Sequence, residues 1–255
     1  MTRMRAAVLG WGLFYGGVLA AWVALWGMAQ TRSALAGDWG LALLADLCRT
    51  DAAGAGFGGL FAMWALMSVA MMAPTAVPAF RTWAALPGGA SGGAVGTLAL
   101  GLGYLMVWLG ASGGFALAQQ AFGARGWLAP DGASLSSWLT AALFALAGVY
   151  QFSRFKAACL SRCRLPLTFF LERWRPGPVA AARSGVDLGL VCLGCCWALM
   201  ALAFVGGMSS LLWMGLATVL MVVEKLPDIG RHVTRPLGWA LLAGAIAFAA
   251  KGVLA

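Results

Sequence analysis

The chain has 255 residues, 62% of them hydrophobic and only 10% charged, against roughly a quarter charged in a typical soluble domain, which excludes a soluble enzyme or a soluble nucleic-acid-binding domain. Its net charge of +9 lies in connections between apolar runs, where it reports membrane topology and calls for no nucleic-acid partner. Six cysteines in a secreted mini-domain would mark disulfides, but at least three of these lie inside an apolar run, so a disulfide framework fits poorly.

A bilayer crossing takes about 20 predominantly apolar residues. That length predicts an all-α, polytopic membrane helix bundle, one integral membrane domain over 1–255, with seven spans near 6–30, 57–80, 93–121, 135–157, 186–206, 208–226 and 236–254. The first span follows Arg3 and Arg5 and is too long for a signal-peptide core, so it is read as a retained helix. An outer loop, 31–56, holds Asp38, Asp46 and Asp51. The second span carries Pro74 and Pro78, which remove backbone donors and are expected to bend or unwind its later half. The stretches 88-GGASGG-93 and 110-GASGG-114 are expected to serve flexible turns and close helix packing; with no strand before them and no Lys-Ser/Thr after, they do not read as phosphate cradles. The fourth span leads into a basic loop, 154–185, and the fifth and sixth are expected to form an antiparallel hairpin across Gly206-Gly207.

Orientation follows from the bases in the connections. With the N-terminus in the cytoplasm, thirteen lie inside (Arg3, Arg5, Arg81, Arg154, Lys156, Arg162, Arg164, Arg173, Arg175, Arg183, Lys225, Arg231, Arg235) and four outside (Arg32, Arg49, Arg125, Lys251). The basic loop is then cytoplasmic and the C-terminus outside, in a bacterial cytoplasmic membrane. Anionic lipid headgroups suffice as partners for these bases.

The chemistry concentrates in 192-CLGCCWALM-200. Positions i, i+3 and i+4 share a helix face, so Cys192, Cys195 and Cys196 become neighbours, with Met200 one turn beyond. Counted from Val186, Cys195 lies roughly 14 Å along the span, near mid-bilayer. Cysteine also packs well as a small apolar residue. Three on one face favour ligation, and thiolates with thioethers select Cu(I), with Zn(II) the weaker fit. In the second span, 63-MWALMSVAMMAPTAVP-78, Met67 and Met71 continue a stripe from Met63 at the same expected depth, and Met72 is adjacent. The tetrapeptide Trp-Ala-Leu-Met occurs at 64–67 and 197–200, which suggests an inverted three-plus-three repeat plus one helix. Cys159 and Cys163, spaced i, i+4 among Arg154, Lys156, Arg162 and Arg164, form a second thiol pair suited to metal exchange or redox sensing, since neighbouring cations favour thiolate. His232, beside Arg231, reads as solvated, Asp187, Glu224 and Lys225 read as charges at helix ends, and Cys48 is assigned nothing. No catalytic triad and no pair of intramembrane carboxylates is present, so an enzyme is not indicated.

The blocks 67-MSVAMMAPTAVP-78, 104-YLMVWLG-110, 150-YQFSRFKAACLSRCRLP-166, 172-ERWRPG-177, 192-CLGCCWALM-200 and 224-EKL-226 resemble an uncharacterised bacterial family of predicted metal-binding integral membrane proteins. The resemblance implies a multi-span architecture and a metal site. Where that family carries His-Gly shortly before the first cysteine, this chain has Leu188-Gly189. That difference leaves an all-sulfur donor set, which favours Cu(I) further, or a degraded site. The expected function is copper transport or delivery to a cuproenzyme, with a metallochaperone or cuproenzyme as partner. A membrane thiol redox protein and a non-catalytic accessory or assembly subunit are the alternatives.

Overall fold

The computed structural model describes residues 2–30, 52–86, 93–173, 175–208 and 210–254. Most of the expected outer loop and of the 88–93 glycine stretch, together with Cys48, lies outside the described residues. In chain order the helices are α1 (Thr2–Gln30), α2 (Ala52–Ala85), α3 (Gly93–Ala124), α4 (Ser137–Gln151), α5 (Arg154–Arg164), α6 (Pro166–Arg173), α7 (Pro178–Ala201), the single turn α8 (Ala203–Gly206), α9 (Leu211–Lys225) and α10 (Gly230–Leu254). The fold is all-α.

Among the described residues, five stretches, within α1, α2, α3, α7–α8 and α10, are long and apolar enough to cross a membrane. Leu98, Leu102 and Met106 form an exposed apolar stripe along α3 at helical spacing. Such a surface suits lipid and not water. Two of the seven expected spans come out differently. Helices α4 and α9 have 15 residues each, about 22 Å of helix against about 30 Å of hydrocarbon. The apolar run from 135 to 157 is continuous in composition but not in backbone, because Ser153 stops it. Its hydroxyl accepts from Lys156 N and caps α5 as a separate helix. The segment 154–185, expected as a loop, is therefore helical for most of its length, as α5, α6 and the start of α7.

The core of the bundle is α2, α3 and α7. Contacts of Met72 with Cys196 and of Thr75 with Cys192 run in opposite order along the two helices, so α2 and α7 are antiparallel, as an inverted repeat requires. The repeated tryptophans nevertheless sit in different surroundings. Trp64 is fully buried and donates to Gln119 Oε1, whereas Trp197 is half-buried against the Tyr150 ring. Helices α3 and α7 approach backbone to backbone: a Cβ on Gly103 would run into Ala182 O, and one on Gly185 into Leu100 O. These glycines carry the close packing. Gly110 and Gly114, expected to do so, have open space where a side chain would go. Helix α10 lies along α4, with Gly148 against Leu242 and Gly238 against Phe152.

Helix α2 does not unwind at its prolines. Its one non-helical residue is Gly56, at φ 60, and the helix runs through Pro74 and Pro78 to Ala85. Pro74 has no N–H to offer Ala70 O, four residues back. Trp22 Nε1 of α1 donates to that carbonyl instead, at 3.0 Å. The turn between α7 and α9 is closed in a similar way. Gly207 takes φ 81, Trp213 Nε1 donates to Leu202 O at 2.8 Å, and the indole occupies the place a side chain on Gly206 would need.

Candidate metal centre

Cys192, Cys195 and Cys196 share one face of α7, and their Sγ atoms all lie within 4.8 Å of one another. Each is 1–2% exposed. The thiols of Cys195 and Cys196 both donate to Cys192 O at 3.0 Å, so the helix's own backbone turns them inward.

Helix α2 adds a thioether. Met72 Sδ lies 3.6 Å from Cys196 Sγ. Ser68, Met72 and Thr75, at i, i+4 and i+7, make the face of α2 that meets α3 and α7: Ser68 Oγ pairs with Ser112 Oγ at 2.9 Å, and Thr75 Oγ1 lies 3.9 Å from Cys192 Sγ. The expected stripe of Met63, Met67 and Met71 is displaced from that face by one residue, a rotation of about 100°. Met67 and Met71 are buried, and Met200, one turn beyond Cys196, is buried as well. The methionine placed against a thiol is the one that the stripe left out.

The third contribution comes from α5. Cys163 Sγ stands 4.0 Å from Cys195 Sγ, and Cys159 packs over Gly194, where an added Cβ would lie 2.7 Å from its sulfur. Both thiols expected to act as a pair thus face α7, but Cys163 is the one that reaches the cluster. The pull of basic neighbours on their protons is outweighed. Burial and the nearby Cys195 push the Cys159 thiol up against the smaller pull of Arg162, and the hydrogen bond to Cys195, followed by burial, pushes Cys163 up.

Polar groups close the site at one end. Lys225 Nζ, at the last residue of α9, donates to Thr75 Oγ1 at 2.7 Å and reaches Cys192 Sγ at 3.0 Å. The Tyr104 hydroxyl donates to Met72 O and also lies 3.2 Å from Cys192 Sγ. Behind them Lys156 and Glu224 form an ion pair of 2.8 Å whose side chains are 1–2% exposed, and Arg164 donates from Nε and an Nη to the Glu224 carbonyl. The Tyr150 hydroxyl, near the end of α4, donates to Gly194 O.

The thiols therefore sit where α4 and α9 end, beside charged side chains. Helix α7 begins at Pro178, which puts Cys195 about 26 Å along it. Lys156, Arg164, Glu224, Lys225, Tyr104 and Thr75 were not singled out as site residues from the sequence. One signal pointed toward them: all six lie within the family-like blocks, as in 104-YLMVWLG-110 and 224-EKL-226, although no spacing sets them apart from their neighbours there. His232 is exposed, with Nδ1 3.1 Å from Asp228 O, and takes no part. Leu188, in the place of the family-like histidine, is a buried apolar residue one turn before Cys192.

Three buried thiols and a thioether form a soft donor set of the kind that suits Cu(I), with the Cys163 thiol outside it at the edge. With five membrane-length apolar helices among the described residues, this centre defines a helical membrane protein that could hold a metal ion. The chain belongs to the PpoB2 family, described as copper chaperones, whose model matches residues 61–248. That interval contains Met72, Tyr104, Cys163, the three clustered cysteines and Lys225. No curated protein and no solved structure matches the chain.

Proposed function

We propose that the protein takes up Cu(I) as cargo at Cys192, Cys195 and Cys196, with Met72 assisting, and delivers it to a cuproenzyme under assembly. The observation that carries this reading is the convergence of three buried Sγ atoms within 4.8 Å. Charge balance supports it. Cu(I) held by two thiolates carries one negative charge, which would be costly beside apolar helices unless offset. Lys225 Nζ, 3.0 Å from Cys192 Sγ, supplies the offset. The family description names copper, and the thioether of Met72 favours Cu(I) over Zn(II). Met67, Met71 and Met200 are buried on the same two helices and serve as packing around the donors. No chemical transformation is required of the protein. The thirteen-to-four distribution of bases supports a cytoplasmic N-terminus in the bacterial inner membrane, with α5 and its arginines on the cytoplasmic side.

The test is the metal content of detergent-purified protein, loaded with Cu(I) and washed under reducing conditions. Copper retained in stoichiometric amount by the wild type and lost from the C192S/C195S/C196S variant is the expected result. A wild type that retains none sinks the proposal, and zinc in its place corrects the metal. Mixed disulfides trapped at these thiols, with no metal bound, would point to redox chemistry instead.

A further inference from the structure

We infer that Cys163 is the exchange ligand of the centre: it draws Cu(I) from the buried thiols and presents it to a soluble carrier that bears thiols. This rests on the copper reading above and names how the metal gets in and out.

The three clustered thiols are sealed, at 1–2% exposure, and no external ligand can reach them directly. Cys163 is only partly buried, and its sulfur is 4.0 Å from Cys195 Sγ, close enough for one metal ion to touch both. Helix α5, which carries it, is an independent piece of 11 residues. It starts at the Ser153 cap and stops at Leu165, whose φ of −123 and ψ of 66 leave the helical region. Contacts with one residue hold it to α9: Lys156 on the Glu224 carboxylate, and Arg164 on the Glu224 carbonyl. Exposed Arg154 and Arg162 give its outer side a positive field, which attracts an anionic carrier.

The step balances without an oxidant or reductant. Each incoming sulfur replaces one outgoing sulfur: Cys163 Sγ bonds to the metal while Cys195 still holds it, the bond to Cys195 then breaks, and the proton leaving Cys163 passes to Cys195. Carrier thiols then displace the remaining buried thiolate and Cys163 in turn, each giving up one proton to the thiolate it displaces, and copper stays Cu(I) throughout. Cys159, the other thiol of α5, lies buried over Gly194 and takes no part.

The experiment uses the full chain in detergent, loaded with Cu(I), and follows metal transfer to the chelator bathocuproine disulfonate by stopped-flow absorbance. C163S is expected to keep the wild-type copper stoichiometry while its release slows on the order of tenfold or more. C163M, which restores a soft donor at the same place, should recover part of the rate, and C159S should release at the wild-type rate. Release from C163S at the wild-type rate overturns the inference, as does loss of copper from both C163S and C163M at equilibrium, which would make Cys163 a holding ligand. Either result leaves the copper reading standing. Only a wild type that binds no copper removes both.

Discussion

Two helices bring thiols to the centre, and they are built on opposite plans. Helix α7 has 24 residues, almost all apolar in its second half, and packs backbone to backbone on α3 at Gly185 and Gly103. Helix α5 has 11 residues, four of them basic, and is held by polar contacts near its two ends. Burial therefore fixes the α7 thiols in one arrangement, since moving them means unpacking a core. The α5 thiols sit on a shorter element that buries only Cys159 and Leu160 among its apolar residues and otherwise relies on a few hydrogen bonds and one ion pair. A site that must both retain and surrender a metal benefits from that asymmetry: a rigid set of donors, and one donor on an element that can leave at lower cost.

The most damaging way to disturb the comparison is at Glu224. Removing one partner of a buried ion pair leaves the other charge uncompensated, at a cost of about 3–5 kcal/mol. E224A strands the Lys156 ammonium, which is 1% exposed, so a marked drop in melting temperature in detergent is expected. Maleimide labelling should rise at Cys163 and stay low at Cys195 if the pair secures α5 and not α7. Equal gains at both sites would show that the two helices are not held separately.

A smaller effect is expected at Lys225, the next residue along. K225M removes a charged hydrogen-bonding group beside Cys192 Sγ, an interaction of about 1.5–3 kcal/mol. Cu(I) affinity in chelator competition should fall roughly tenfold to a hundredfold, with K225R keeping much of the loss at bay and the melting temperature moving less than in E224A. An unchanged affinity would mean that the lysine does not balance the charge of the loaded site. Adjacent residues of α9 thus separate the two plans, Glu224 tying α5 and Lys225 facing the thiols.

Much of this was legible in the sequence, and the failures have physical causes. Composition revealed the membrane bundle, and the i, i+3, i+4 spacing revealed the face shared by Cys192, Cys195 and Cys196. Span count was less legible because hydropathy averages over a break: Ser153 changes mean hydropathy little, yet its hydroxyl caps a new helix. The Met63–Met67–Met71 stripe is a valid helical face, but periodicity alone cannot say which of several buried faces meets a given neighbour. The pairing of Ser68 with Ser112 and of Thr75 with Lys225 decides that, and it puts Met72 on the thiols. Lys156, Glu224 and Tyr104 stayed hidden because a residue far away in sequence makes each of them part of the site.

Met72 gives the next test. M72L conserves volume, so stability should change by less than about 1.5 kcal/mol. Cu(I) affinity should nonetheless fall severalfold, while M67L and M71L leave it unchanged. An equal loss from M67L would return the stripe to the ligand set.

The smallest expected effect lies farthest from the metal, at the hydrogen bond that lets α2 pass Pro74 without breaking. W22F keeps an aromatic ring on α1 but removes the donor to Ala70 O, leaving a carbonyl in the helix without its partner. The net worth of such a bond is about 1 kcal/mol. A melting temperature a few degrees lower, with copper stoichiometry and release rate both unchanged, is the expected result. The distinction matters because Ala70 lies only two residues before Met72. If W22F altered copper release as well, the course of α2 through Pro74 would be part of how the thioether is aimed, and the rigid half of the centre would depend on α1 as much as on α3.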